Sequence, residues 1–263
     1  MKPIRSRPRP FQRSKPEKAR QGKLIALVVR HPQATSNVPV PKRVGRADFG
    51  VTKKGREQVE ALVQRMLRVP LDRIESSPMI RAKEAASRIG GSQAIRVKTN
   101  PLLAERDYGA ISGVPDHLYD ELLRASGKKP WKFKVGGENQ GEVRKRAAKW
   151  LNGLVEKDLP KPGETRVVAG FTHHDTASAI AAEATKMRRD ADFEAFRIGN
   201  TGMFALEYDA GKKRWNLLNA TQVPHLETSE QVQAEKREAA KKILDRVAKR
   251  AERFAKRRSR QNA

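Results

Sequence analysis

The sequence predicts an α/β protein with a mainly parallel sheet and an antiparallel hairpin at one edge. Three observations carry this. Two short, unbroken apolar runs, Leu24–Val29 and Val167–Phe171, have the length and branched composition of strands buried on both faces. Segments with helical apolar spacing alternate with strand-like ones through the body of the chain. Late in the chain, Met203–Tyr208 and Trp215–Leu218 flank Asp209-Ala210-Gly211, the pattern of a hairpin.

Charge divides the chain into three. Residues 1–22 hold 8 Lys or Arg against one acidic residue, and residues 228–263 hold 12 against 5, so each end carries +7 of a total of +26. The N-terminal stretch is rich in Pro and Arg with almost nothing to bury, so it is expected to be a disordered basic tail. Residues 23–227 form the expected folded body, and 228–263 a basic C-terminal helix. Both ends suit nucleic acid or another polyanion, or stand as solvated segments.

Cysteine is absent, which removes disulfides, thiolate catalysis and Cys-based zinc sites. No apolar run approaches a membrane span, and no apolar segment follows the basic N-terminus as a secretory signal requires. Pro3, Pro8, Pro10 and Pro16 would interrupt a presequence helix, so a cytoplasmic protein is expected.

In order, the first strand ends in Arg30-His31-Pro32 and a polar loop. Thr52 is placed to cap a helix whose apolar face is Val59, Leu62, Val63, Met66 and Leu67, and Pro70 stops it. Leu71–Glu75 reads as a short strand. Ser77 as cap with Pro78 at the first helical position starts the next helix, placing Arg81 in its first turn, and Gly90-Gly91 ends it. Ala94–Lys98 reads as a strand and Asn100-Pro101 as a break. Glu105 lies in the loop that follows.

Leu118, Leu122 and Leu123 mark a short helix, and 127–137 a basic loop around Trp131 and Phe133. A longer helix starts near Asn139, with Val143, Ala147, Leu151 and Leu154 on one face. The second buried-type strand, Thr165–Thr172, ends in His173-His174-Asp175, and an Ala-rich helix follows. Past the hairpin, Thr228 and Gln231 can form a capping box for a helix with the stripe Ile243, Leu244, Val247, Ala251 and Phe254.

Ligands of open α/β sheets sit beyond the carboxyl ends of the strands. If the two long strands are parallel neighbours, Arg30-His31 and Thr172-His173 meet at one edge. Arg81 joins them from a helix start and Glu105 from a loop. Guanidiniums that hold oxygens, an imidazole that attacks phosphorus and a carboxyl group that protonates the leaving oxygen suit phosphoryl transfer.

Over residues 23–226 the chain resembles the histidine phosphatase superfamily, also called phosphoglycerate mutase-like. The resemblance rests on Arg30-His31-Pro32 with Asn37, on Val51-Thr52-x-x-Gly55-x-x-Gln58, and on Ser76-Ser77 with Arg81-Ala82. It continues in Leu103-x-Glu105 with Gly109 and Gly113, Gly137-Glu138-Asn139, Thr172-His173-His174, Asn200 and His225-Leu226. It implies a three-layer sandwich on a mainly parallel mixed sheet, and a histidine acid-type phosphatase that hydrolyses phosphomonoesters.

By the same resemblance His31 is the nucleophile, Glu105 the acid and then the base, and His173 a stabiliser of the transferring group. Arg30, Asn37, Arg81 and His174 are the phosphate-binding candidates. No metal or cofactor is called for. The substrate would be a phosphorylated small molecule or a phosphoprotein.

Three departures stand out. Pro32 replaces the family's glycine after the nucleophile, Gln33-Ala34 the common Glu-Thr, and His174 the glycine after the second histidine. Only a short stretch separates Gly113 from Glu138, where the superfamily's mutases carry larger insertions, so the resemblance implies an open cap and hydrolysis rather than mutase chemistry.

Two other readings compete. One is a catalytically weakened member of the fold that binds nucleic acid or another polyanion through residues 1–22 and 228–263. The other makes His31, His173, His174 and Asp175 a metal centre, although adjacent residues of an extended segment point to opposite faces.

Overall fold

The computed structural model describes residues 22–187 and 196–221. The predicted basic tail and the predicted C-terminal helix lie outside the described residues. Six strands form one mixed sheet: β1 (Lys23–Arg30), β3 (Arg73–Ser76), β4 (Val97–Thr99), β6 (Thr165–Thr172), β7 (Met203–Asp209) and β8 (Arg214–Thr221), in the spatial order β4-β3-β6-β1-β7-β8. β1 and β3 each run parallel to β6, β4 runs parallel to β3, and β7 is antiparallel to both β1 and β8. A second, two-stranded ribbon pairs β2 (Lys42–Arg43) with β5 (Val114–Pro115).

Helices cover both faces, giving three layers. α1 (Lys53–Met66) and α2 (Ile80–Ser92) pack on one side, α4 (Gln140–Asp158) and α5 (His174–Ala184) on the other, and α3 (Asp116–Ala125) belongs to the region around the ribbon. The alternation of β1 supplies both cores. Leu24, Ala26 and Val28 join Val143, Ala147, Trp150, Leu151 and Leu154 of α4, while Leu27 and Val29 join Val59, Leu62, Val63 and Met66 of α1. Such two-sided burial is why the run carries no polar alternation. Gly170 makes room for Trp150, whose Cζ2 lies 2.7 Å from where a β-carbon would stand.

Local signals set most boundaries. Thr52 caps α1, its Oγ1 accepting from the Gly55 amide at 2.9 Å. Asn139 caps α4 in a reciprocal box with Glu142.

Three expectations shift. α2 starts at Ile80 rather than Pro78, because the Ser77 hydroxyl is engaged by His173 and Met79 stands in the extended cap position. β3 and β4 begin two and three residues later than the apolar residues imply, at Arg73 and Val97; Ala94 adopts φ 55°, which breaks the strand there. In α3 the buried residue is Tyr119, not the leucines, and Leu122 is exposed.

Candidate active site

The register Arg30↔Thr172 places His31 and His173 side by side at the carboxyl edge of β1 and β6. Their ring centroids are 5.1 Å apart, and both rings are buried. His31 Nδ1 lies 2.6 Å from the Pro32 carbonyl oxygen. A carbonyl only accepts, so Nδ1 carries the proton and Nε2 keeps its lone pair. Proline at this position has given up its N–H but kept the carbonyl that orients the His31 ring. The Ser77 hydroxyl shares a 2.6 Å hydrogen bond with His173 Nε2.

Burial, followed by the charges of Arg30 and Arg81, holds His31 well below the usual imidazole range. His173 is lowered in the same direction by burial, Arg81, His31 and Arg30. Both imidazoles are neutral at pH 7.

Arg30 donates to the Ile198 carbonyl at 2.7 Å. Arg81 is 1% exposed, and its two terminal nitrogens donate to the carbonyls of Ala47 (2.7 Å) and Gly45 (2.8 Å). Held by carbonyls, the guanidinium keeps its full charge beside the pocket.

Glu105 Oε1 accepts from the Arg106 amide at 2.8 Å. Burial, then the nearby Asp175 carboxylate, raises its pKa to about 7 against the pull of the Arg106 amide, Arg81 and Arg30. A carboxyl group in that range can give a proton and later take one back near neutrality.

The loop after His31 is pinned. Asn200 Nδ2 donates to the His31 carbonyl at 3.1 Å and reaches Asn37 Oδ1 at 3.4 Å, and the same Oδ1 accepts from the Ala34 amide at 3.0 Å. The Gln33 amide donates to Gln58 Oε1 at 2.8 Å, and a β-carbon at Gly55 would collide with the Gln33 carbonyl, so α1 seats directly on this loop. Asn37 lines the pocket with its side-chain oxygen engaged by the Ala34 amide and Asn200 Nδ2.

A cavity of about 70 Å³ is lined by Arg30, His31, Asn37, Arg81, Glu105 and His174, among others. The structure therefore gathers every site residue expected from the sequence; His173 stands behind His31. His174, the first residue of α5, has its pKa lowered to about 4 by burial and then by Arg30, so it meets the pocket as a neutral imidazole.

Sequence reasoning missed the far wall. Asp175 Oδ2 accepts from the Tyr108 hydroxyl at 2.7 Å, and Arg43 and Arg106 approach the same carboxylate at 3.5 and 3.7 Å. Burial pushes Asp175 up, but Arg43 and Arg106 outweigh it, so it stays ionised. Arg106 is also held by the Tyr119 hydroxyl and by the Phe133 and Glu138 carbonyls, each at 2.9 Å. Arg43 comes from the two-residue β2, which no local pattern announces. With Asp175 committed to these partners, the metal-centre reading fails. Among the described residues, no group of three His, Cys, Asp or Glu could hold a metal ion.

Comparison with known proteins agrees with this geometry. The family model "Histidine phosphatase superfamily (branch 1)" matches residues 26–221. The chain is 30% identical over 151 residues to phosphoserine phosphatase 1 of Hydrogenobacter thermophilus, covering 56% of this chain and 70% of that protein. Among solved structures, a mycobacterial glucosyl-3-phosphoglycerate phosphatase superposes with a TM-score of 0.67 at 23% identity, covering 76% of this chain and 99% of that one. A phosphoserine phosphatase mutant from Entamoeba histolytica gives 0.65 at 23% identity, covering 78% and 99%. No helix among the described residues is long and apolar enough to cross a membrane. A matching family model over most of the body, and paired histidines at the ends of adjacent parallel strands, lead to one assignment: the chain belongs to the histidine phosphatase superfamily.

Proposed function

We propose that the protein is a metal-independent phosphomonoester hydrolase working through a phosphohistidine on His31. The observation that carries this is the 2.6 Å contact from His31 Nδ1 to the Pro32 carbonyl, which leaves a neutral Nε2 for attack between two guanidiniums. Arg30 and Arg81, with the Asn37 amide, hold the phosphoryl oxygens. The Nε2 lone pair forms a bond to phosphorus as the bond to the ester oxygen breaks, and that oxygen takes the Glu105 proton. The Glu105 carboxylate then removes a proton from water, whose oxygen displaces Nε2 and releases phosphate. His173 stabilises the transferring group, and the positive charge of the arginines takes the part a metal ion plays elsewhere.

The narrow cavity and the phosphoserine phosphatase relative support a phosphorylated small molecule as substrate. Hydrolysis of an aryl phosphate in chelator, by wild type and by His31→Ala, tests the proposal. Turnover that ignores chelator and vanishes in the variant is expected, with acid-labile phosphate trapped on wild type alone. Chelator-sensitive turnover, or turnover that survives His31→Ala, overturns it.

A further inference from the structure

The reaction steps proposed above give no task to His174. It opens α5, lines the catalytic cavity and is only partly buried. Among the described residues its ring makes no hydrogen bond. Nδ1 is sealed inside the protein without a partner, so Nε2 is the ring nitrogen left to meet a ligand. Buried polar side chains are almost always paired, and a ring on a cavity wall with neither nitrogen engaged points to a partner that arrives from the cavity.

The surroundings say what that partner is. The charges of Arg30, Arg43 and Arg197 act on the ring, against the carboxylate of Asp175 beside it on α5. Together with burial they keep the imidazole neutral, so it adds a donor to this wall without adding a further cation. A proton on His174 would also oppose one on His31, so the two rings lie within electrostatic reach of each other. An electropositive wall facing the nucleophile selects an anion, and the oxygens of a phosphoryl dianion only accept. Nε2 of His174 then carries the proton, the reverse of His31, whose Nδ1 proton is held by Pro32 and whose Nε2 is bare.

We propose that His174 is a further substrate-touching residue of this site, its Nε2–H donating to a phosphoryl oxygen of the ester and then of the released phosphate. The inference rests on the phosphatase reading and deepens it. Glycine, which the family's pattern has here, offers no side-chain donor. This chain adds one, so substrate and product phosphate are both held more tightly.

The test is calorimetric titration of the full-length protein with inorganic phosphate, alongside aryl phosphate kinetics. His174→Phe keeps a ring but has no donor. It is expected to weaken phosphate binding and raise KM about tenfold, the order expected for a hydrogen bond to a charged acceptor. His174→Gln places an amide N–H where Nε2 stood and recovers most of the loss, which a merely structural role would not do. If urea unfolding shows that His174→Phe does not fold, His174→Gly, which removes the ring outright, is expected to weaken phosphate binding in the same way.

The inference is overturned by phosphate affinity that these changes leave alone, by His174→Gln binding as weakly as His174→Phe, or by wild type that does not bind phosphate. A loss confined to ester kinetics overturns it too, because phosphate has no leaving group. Failure of the phosphatase reading is separately visible as wild-type turnover that is absent or survives His31→Ala. The phosphate titrations need no turnover and read the His174 contact in either case.

Discussion

Replacing Asp175 by Asn tests how Glu105 is kept protonated. Asn preserves the size of the side chain and an oxygen for the Tyr108 hydroxyl at 2.7 Å, but removes the negative charge. Burial and Asp175 together lift Glu105 from 4.5 to about 7, against Arg81 and Arg30. Burial is the larger cause and survives the substitution, so the pKa falls only part of the way back.

A fall of about one unit, worth about 1.4 kcal/mol, would cut the protonated fraction at pH 7 from about half to about a tenth. The proposed mechanism requires the acid form of Glu105 in its first step, so the alkaline limb of kcat/KM is expected to move to lower pH in Asp175→Asn. The effect depends on the leaving group. An alkyl phosphate, whose alkoxide needs the proton, loses about fivefold at pH 7; an aryl phosphate with an acidic phenol loses little. An alkaline limb that stays in place, or an equal loss on both substrates, refutes the electrostatic role of Asp175.

Other outcomes follow from the same contacts. His174 takes its proton at about 4 in the fold against 6.5 when free, so the unfolded chain protonates first as pH falls. Its share of stability is complete above pH 6.5 and drains away toward pH 4, by roughly 3 kcal/mol for this one group. Urea unfolding at pH 7 and pH 4.5 should show a smaller acid loss in His174→Asn than in wild type. Gly170→Ala forces a methyl group against Trp150 and should cost about 1–3 kcal/mol in the same assay. Ser77→Ala orphans the buried His173 Nε2 at a cost of about 1–3 kcal/mol and lowers kcat; Ser77→Thr, which keeps the hydroxyl, should recover both.

What the sequence disclosed follows the range of the forces involved. Thr52 with its apolar stripe, and the apolar face that begins just after Asn139, are signals contained within a few residues, and the helices start where they say. Arg30-His31 and Thr172-His173 were legible because an unbroken apolar strand delivers its last residues to a sheet edge. Ser77 misled because the same hydroxyl can cap a helix or bond a distant imidazole, and only tertiary structure decides between them. Arg43 and Arg106 were illegible as site residues for a related reason. Their shared partner Asp175 lies far along the chain, and β2 is too short to carry a pattern.

The strand order has a consequence for how this enzyme comes into being. β1 and β3 are neighbours in the chain but not in the sheet, where β6 fills the space between them. A nascent chain that has emerged only as far as α4 holds β3 with its neighbour β4, while β1 still lacks both strands that flank it in the sheet. Loop closure over more than half the described chain must precede the pairing of β1 with β6, which places that step among the slow, non-local cases. His31 is thus made early in synthesis, while His173 beside its ring and Asn200 on its carbonyl arrive with and after β6. A chain that stops before β6 therefore holds His31, Arg30 and Arg81 without the strand that brings His173 beside them, and the site is assembled only once the sheet is whole.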